Sequence, residues 1–217
     1  MDALLEVCYG EKRWSGPRDP LDGLIQTILS QNTTDVNSHA AFRSLKQRFP
    51  TWEEALRARE TTIAKAIQRG GLANIKAGRI KRILRQIKDE HGSLSLDFLH
   101  DLPAEEAANR LSQFHGVGRK TVACVLMFDC GKPIIPVDTH VFRVASRLGW
   151  LPNKATPERA HDVLQQLVPS ELVYQLHLNM VAHGRRLCRP SRPRCDECPL
   201  REHCEYVKSP APSARLD

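Results

Sequence analysis

A short segment with two glycines and a lysine contains the first residues that could carry out chemistry. Gly116 and Gly118 lie just before an amphipathic run that begins at Arg119. Glycines there allow positive φ angles and leave backbone amides open at a helix N-terminus, where the amides and the helix dipole favour a phosphate. A simple turn between helices is the alternative interpretation. The predicted helix, hairpin and second helix span residues 105–113, 114–118 and 119–130.

Lys120 falls in the first turn of the second of these helices. The positive end of the helix dipole disfavours a protonated amine at that position, and partial burial would act in the same direction. A neutral amine is a nucleophile, whereas a protonated one is not. Lys120 is therefore a candidate nucleophile, and phosphate binding is the alternative role for a lysine at a helix start.

Asp138 lies eighteen positions after Lys120, in the segment Val137-Asp138-Thr139-His140. It precedes an amphipathic run, so we predict that it caps a helix whose amides hold its carboxylate ionised. Such caps are common structural devices. An ionised carboxylate can also stabilise the positive charge that develops on a sugar when a glycosidic bond breaks. Asp138 is therefore a candidate partner of Lys120.

Four of the seven cysteines form a compact C-x6-C-x2-C-x5-C array. Four thiolates can ligate either a tetrahedral zinc ion or an iron–sulfur cluster. Zinc ribbons usually have two C-x2-C pairs, and only one pair is present here, so the spacing favours a four-iron cluster over zinc. The predicted ligands are Cys188, Cys195, Cys198 and Cys204.

Helical periodicity dominates the rest of the sequence. Apolar residues recur at the spacing of one helix face, while Gly and Pro fall mainly between such segments. Sustained strand-type alternation is absent. We therefore predict an all-α protein of about nine or ten helices.

The charge of the chain favours an anionic partner. Lys and Arg number 32 against 25 Asp and Glu, which gives a formal net charge of +7. Segment 75–88 holds six basic residues, the first of them Lys76, and no acidic one. We place these residues on the polar side of a helix, where a solvated face is the simpler interpretation.

Neither export nor membrane insertion is expected. No stretch approaches the roughly 20 apolar residues that cross a bilayer, and residues 1–10 lack the basic flank and apolar run of a secretory signal. We expect a cytoplasmic, nucleoid-associated protein without membrane contact.

Five segments together make the sequence similar to a known family. They are Leu29-Ser30-Gln31-Asn32-Thr33-Thr34-Asp35, Gly71-Leu72-Ala73-Asn74, His115-Gly116-Val117-Gly118-Arg119-Lys120-Thr121, Val137-Asp138-Thr139-His140 and the four-cysteine loop. With these segments the chain, from about Leu21 to Tyr206, strongly resembles the endonuclease III family of DNA glycosylases, within the helix-hairpin-helix superfamily.

The resemblance implies a two-domain all-α fold. A six-helix barrel domain with the helix-hairpin-helix would span residues 21–133. A discontinuous domain, residues 1–20 plus 134–206, would hold a [4Fe–4S] cluster on the four cysteines. Separately, the Pro, Ser and Ala content of residues 207–217 predicts a disordered tail.

The resemblance also implies a bifunctional enzyme of base excision repair, acting as a monomer on double-stranded DNA with damaged bases or abasic sites. Lys120 would attack C1′ of an extruded nucleotide, expel an oxidised pyrimidine and form a Schiff base whose β-elimination nicks the strand. Asp138 would support departure of the base. The alternatives are a monofunctional mismatch or uracil glycosylase, in which Lys120 only contacts phosphate, and a non-catalytic iron–sulfur protein that binds DNA.

Several DNA contacts are implied as well. Leu72 matches the family's wedge between bases, with a buried loop anchor as the alternative. Asn32 stands where the family usually carries Gln, and Gln31 precedes it. Segment 95–113 is longer than in well-known bacterial members and could add a short helix. The other expected contacts are His115, Gly116, Val117, Gly118, Arg119, Thr121 and His140.

Overall fold

The computed structural model describes residues 1–208, and within them every regular element is a helix. The α-helices are α1 (Asp2–Tyr9), α2 (Pro20–Ser30), α3 (Asp35–Arg48), α4 (Trp52–Arg57), α5 (Glu60–Ala66), α6 (Ala73–His91), α7 (Ala104–Ser112), α8 (Arg119–Phe128), α9 (Thr139–Arg147), α10 (Pro157–Leu167), α11 (Val173–Arg186) and α12 (Glu205–Lys208). Short 3₁₀ helices lie at Gln68–Gly70, Asp97–His100, Ser170–Leu172, Cys195–Glu197 and Arg201–His203.

The predicted all-α class is confirmed, but the predicted number of nine or ten helices is too low for residues 1–208. The difference comes from short helices such as α4, with six residues, and α12, with four. Fewer than two turns do not produce a readable periodicity in the sequence. No helix in this part of the chain combines the length and the apolar character that a membrane span requires.

Two of the sequence predictions concern short segments whose structure is described. A 3₁₀ helix at Asp97–His100 lies in the segment where an added short helix was expected. Val207 and Lys208, which we predicted to begin a disordered tail, lie in α12. The remainder of that predicted tail, residues 209–217, lies outside the described residues.

Contacts divide the chain into two compact units. Residues Gly16–Lys132 form one, which we call the hairpin unit. Met1–Ser15 and the described residues from Pro133 onward form the other, which we call the cysteine unit.

Helix α8 is the central element of the hairpin unit. Its residues Thr121 to Met127 are all buried, and it packs against α2 and α7. A helix that is apolar all round must lie inside a core. The first turn departs from this pattern, because Arg119 is exposed and Lys120 is half-buried. The core of the unit therefore fixes the backbone of Lys120.

Helix α2 packs against α8, and the residue that follows α8 lies very close to Gly23 of α2. Asp19 caps α2 by accepting bonds from the amides of Leu21 and Asp22. At Gly23 the side chain of Asp129, which follows α8, lies so near that an added Cβ would be 1.8 Å from its Oδ2. Position 23 therefore has no room for a Cβ, so only glycine fits there.

The cysteine unit is built on α11, which packs against α9 and α1. Gln175 of α11 donates from Nε2 to Asp2 Oδ2 at 2.8 Å and Glu6 Oε2 at 3.1 Å. Its Oε1 accepts from the Lys12 amide at 3.1 Å. These bonds attach the amino-terminal segment to α11, which explains why this unit is discontinuous in sequence.

The prediction that Lys76 lies on a polar, solvated helix face is wrong. Its side chain is 2% exposed, and Nζ donates to Leu29 O at 2.8 Å and Gly70 O at 2.7 Å. Burial lowers the pKa of Lys76, and the nearby charge of Arg79 adds to this effect. Two carbonyls thus replace water around the ammonium group.

A buried carboxyl makes the stability of the fold depend on pH. Burial raises the pKa of Asp129 to about 7, and the Asp19 and Asp22 carboxylates add to this, while the Arg18 charge opposes it. A carboxyl with a raised pKa binds more protons in the folded than in the unfolded state, so stability falls as pH rises from its unfolded pKa towards its folded pKa. We expect the stability advantage of Asp129→Asn over wild type to grow by about 2 kcal/mol between about pH 5.5 and about pH 8 in urea unfolding. A difference that is the same at both pH values would show that Asp129 is already ionised in the fold.

Candidate active site

The predicted helix-hairpin-helix is present, with α7 ending at Ser112 and α8 beginning at Arg119. Between them, Phe114 and Val117 are buried, and the Val117 amide donates to Phe114 O at 3.1 Å. Gly116 has a φ of 78°, a left-handed conformation that favours glycine. The two buried side chains anchor the loop, and glycine allows it to turn.

The start of α8 offers backbone amides to an anion. The first helical bond of α8 runs from the Val122 amide to Gly118 O at 3.0 Å. The amides of residues 119–121 precede that bond and therefore have no acceptor within the helix. Together with the positive end of the helix dipole, they suit a phosphate. Both glycines, His115 and Arg119 are exposed, whereas the side chain of Val117 is buried and supports the loop from within.

Lys120 is half-buried in the first turn of α8, beside Thr121, which is 4% exposed. Thr121 Oγ1 accepts a bond from Gln31 Nε2 at 3.4 Å. Thr121 thus packs inside the unit and positions its neighbour.

Gln31 and Asn32 differ in their surroundings. Gln31 is half-buried and also accepts a bond at Oε1 from Arg79 Nη1 at 2.5 Å. Asn32 is exposed and has a φ of 53°. Asn is among the few non-glycine residues that adopt this left-handed conformation readily. Asn therefore suits the backbone conformation at position 32.

Leu72 is presented to solvent at the start of α6. Its side chain is 50% exposed and its φ is 48°. A left-handed leucine is disfavoured by about 1–2 kcal/mol, and such strain is retained where a residue has a function. The alternative interpretation of Leu72 as a buried loop anchor is wrong.

Asp138 caps α9, as predicted. Its Oδ1 accepts bonds from the amides of His140 at 2.9 Å and Val141 at 2.8 Å. His140 is half-buried, and its Nδ1 lies 3.1 Å from Arg143 Nη2. Because a guanidinium can only donate, Nδ1 accepts, and the ring proton of a neutral His140 is on Nε2. The ring packs against Gly184, where an added Cβ would lie 2.9 Å from His140 Cβ.

All four cysteines of the array line one cavity in the cysteine unit. Arg147 Nη1 donates to Cys188 Sγ at 3.3 Å, and Cys204 Sγ lies 3.3 Å from Arg147 O. His183 Nε2 lies 3.6 Å from Cys198 Sγ. Burial raises the pKa of the Cys195 and Cys198 thiols, with a further rise from neighbouring thiols. Across residues 1–208 no three His, Cys, Asp or Glu side chains converge as they would around a single metal ion.

Sequence reasoning missed the residues that support these sites. Arg147 and His183 line the cysteine cavity, and burial lowers the pKa of His183 to about 4, which keeps it neutral. Lys76 and Arg79 hold the loops of the hairpin unit. A usable signal existed for Lys76, because it lies four residues before Ile80 on the apolar stripe of α6. No comparable signal marks His183.

Comparisons with known proteins identify the family. Residues 25–170 match the HhH-GPD superfamily of base excision DNA repair proteins. Endonuclease III of Thermotoga maritima is 37% identical over 190 residues, which are 88% of this chain and 84% of that protein. This chain belongs to the endonuclease III family. The family predicted from the motifs is thus confirmed.

One further relative and one solved structure are similar to this endonuclease III family member. A predicted DNA glycosylase of Arabidopsis thaliana is 44% identical over 190 residues, covering 83% of this chain. The chain spans only 64% of the length of that plant protein. A structure of a trapped endonuclease III–DNA covalent intermediate superposes with a TM-score of 0.80 at 26% identity, covering 95% of this chain and 93% of that one.

The capping bonds of Asp138 allow its structural and chemical roles to be separated. Replacing a capping Asp by Ala removes the acceptor for two amides, so we expect Asp138→Ala to lower the free energy of unfolding by about 1 kcal/mol. Asp138→Asn keeps an acceptor oxygen and should change it by only a few tenths of a kcal/mol, since Asn and Asp cap about equally well. Urea unfolding of both variants tests this. Equal losses in the two would contradict the capping role.

Proposed function

We propose that this chain is a bifunctional DNA glycosylase and AP lyase of base excision repair that removes oxidised pyrimidines from double-stranded DNA. The observation that carries the proposal is the half-buried Lys120 at the solvent end of the buried helix α8, beside a hairpin whose amides suit a backbone phosphate. A relative with a similar fold and the name endonuclease III has been trapped covalently on DNA. Both observations point to an amine that bonds to the substrate.

The reaction begins with the neutral amine of Lys120. Its lone pair forms a bond to C1′ of the damaged nucleotide while the bond from C1′ to the base breaks and the base leaves with that electron pair. One amine proton passes to the departing base and the other to O4′ as the C1′–O4′ bond of the sugar ring breaks, which leaves an imine between Lys120 and C1′. Removal of a proton from C2′ then expels the 3′ phosphate, which nicks the strand. Nucleophilic catalysis of this kind divides one difficult step into two easier ones.

Asp138 is assigned to the departure of the base. Its Oδ1 is held by two amides, so Oδ2 is the oxygen that we assign to the reaction. A carboxylate oxygen at that position stabilises the positive charge that the sugar carries as the bond to the base lengthens.

The surface of the hairpin unit supports extrusion of the damaged nucleotide, which is needed because C1′ of a stacked base is inaccessible. Leu72 provides an exposed apolar side chain that can enter the base stack, a device that other DNA-bending proteins use. Asn32, exposed in the left-handed conformation, is assigned to the space that the base leaves. Arg82 and Arg85 on α6 are exposed and suit phosphates.

The four cysteines are assigned to a [4Fe–4S] cluster. They line one cavity and offer only soft sulfur ligands, which is the donor set of such clusters. When bound, the cluster would stabilise the loop that carries its ligands. Exposed arginines around the first ligand (Arg185, Arg186, Arg189, Arg192 and Arg194) would then face a nucleic acid backbone.

Borohydride trapping tests the nucleophile. Reduction of the imine on an abasic duplex should join wild-type protein to DNA, and Lys120→Gln should lower the trapping rate by at least about 10³-fold, because loss of a nucleophile removes the whole covalent route. Lys65→Gln, which removes an exposed lysine of the same unit, is the control and should trap at the wild-type rate. Base release from an oxidised duplex without any adduct would indicate a monofunctional glycosylase. Tight binding without base release or nicking would indicate a non-catalytic DNA-binding protein.

Metal analysis tests the cofactor. Protein purified without oxygen should be brown and contain about four irons per chain, as expected for a single cluster. Cys198→Ser should reduce the iron content, whereas Cys8→Ser should not, because Cys8 is exposed and does not line the cavity. A colourless protein with one zinc per chain would overturn the assignment.

A further inference from the structure

The guanidinium of Arg79 points into the hairpin unit and contacts other protein groups, unlike a surface arginine that binds phosphate. It lies on α6 and is half-buried, and its Nη1 donates to Gln31 Oε1 at 2.5 Å. Gln31 in turn donates from Nε2 to Thr121 Oγ1 at 3.4 Å. A chain of side chains thus runs from α6, through the residue that follows α2, to the first turn of α8.

The same guanidinium packs against the hairpin. A Cβ added to Gly116 would lie 2.3 Å from Arg79 Nε and 2.6 Å from its Cζ. Arg79 Nε is buried, and within the described part of the chain it has no hydrogen-bond partner. One edge of the guanidinium therefore lies against the hairpin backbone, while Nη1 holds Gln31. Glycine at 116 is required for this contact as well as for its positive φ of 78°.

We propose that Arg79 is a positioning residue for Lys120. Its guanidinium fixes the hairpin that precedes α8 and, through Gln31, fixes Thr121, which adjoins Lys120 in the chain. The inference rests on the proposed function, since it assigns Arg79 to the reaction of Lys120. Displacement of a reacting group by about 1 Å can lower a rate by about 100-fold. Arg79 therefore affects the rate of the chemical step without touching the substrate.

The geometry also distinguishes positioning from a simple effect of charge. A guanidinium is flat and carries five donors in a fixed arrangement, whereas an ammonium is a compact charge on a flexible stem. Lysine at position 79 would keep the positive charge but could not fill the flat space beneath Gly116 and bond Gln31 at the same time. Arg79→Lys should therefore fail to restore the rate, whereas a role of Arg79 through charge alone would be satisfied by lysine.

Single-turnover trapping on an abasic duplex, with enzyme in saturating excess, measures the chemical step separately from binding. We expect Arg79→Met to lower this rate by about 10- to 100-fold, with a change of less than about threefold in the dissociation constant for the same duplex. Arg79→Lys should give a similar loss. Arg57→Met, which removes an exposed arginine on α4 of the same unit, is the matched control and should trap at the wild-type rate at saturation.

A second variant keeps the test valid if Arg79→Met folds poorly. Gln31→Met removes both bonds of the central residue but keeps its length, and it should lower the trapping rate in the same direction. Combined with Arg79→Met, the loss should be smaller than the product of the single losses, because both variants break one chain of contacts. Rates are compared below the melting temperature of each variant.

The outcomes separate this inference from the proposed function. Wild-type rates for folded Arg79→Met and Gln31→Met, or full activity of Arg79→Lys, would overturn the positioning role and leave the proposed function intact. A wild-type protein that forms no adduct would overturn the proposed function and this inference with it.

Discussion

The burial of α8 is the constraint on which the rest of the structure depends. Seven consecutive residues from Thr121 to Met127 are inside the core, and each buried Val, Leu or Met side chain among them contributes about 1.5–3 kcal/mol. Such a helix can meet a ligand only at its ends. At the N-terminal end the hairpin carries Gly116 and Gly118, which have no side chains to cover the backbone. A reactive lysine placed there stands on a rigid support, which is what precise positioning of a nucleophile requires.

Two buried or half-buried cations on α6 hold the loops around that end. Lys76 bonds the carbonyl of Gly70, two residues before the left-handed Leu72. Arg79 bonds the side chain of Gln31, which immediately precedes the left-handed Asn32. Left-handed non-glycine residues persist only where the surrounding structure determines them strongly. Lys76 and Arg79 therefore hold the backbone on which the exposed residues Leu72 and Asn32 are presented.

Sequence reasoning reached the elements that follow from short-range rules. The all-α class, the hairpin before α8 and the capping role of Asp138 depend on periodicity, glycine placement and capping chemistry, all of which are local. The burial of Lys76 had one local signal, its place four residues before Ile80 on the apolar stripe of α6. The contacts of Arg79 had none, because a basic residue on a helix is normally solvated and only tertiary contacts decide otherwise. The left-handed backbone of Leu72 and Asn32 is also invisible in the sequence, since neither residue type requires it. The residue roles and the cluster stay predictions.

The proposed reaction requires one particular amine, that of Lys120, to bond to the sugar. Wild-type protein can be trapped on an abasic duplex with borohydride, digested with a protease and analysed by mass spectrometry to locate the reduced sugar adduct. We predict that the adduct lies on Lys120 and on no other amine of the chain. An adduct on the amino terminus or on a different lysine would contradict it.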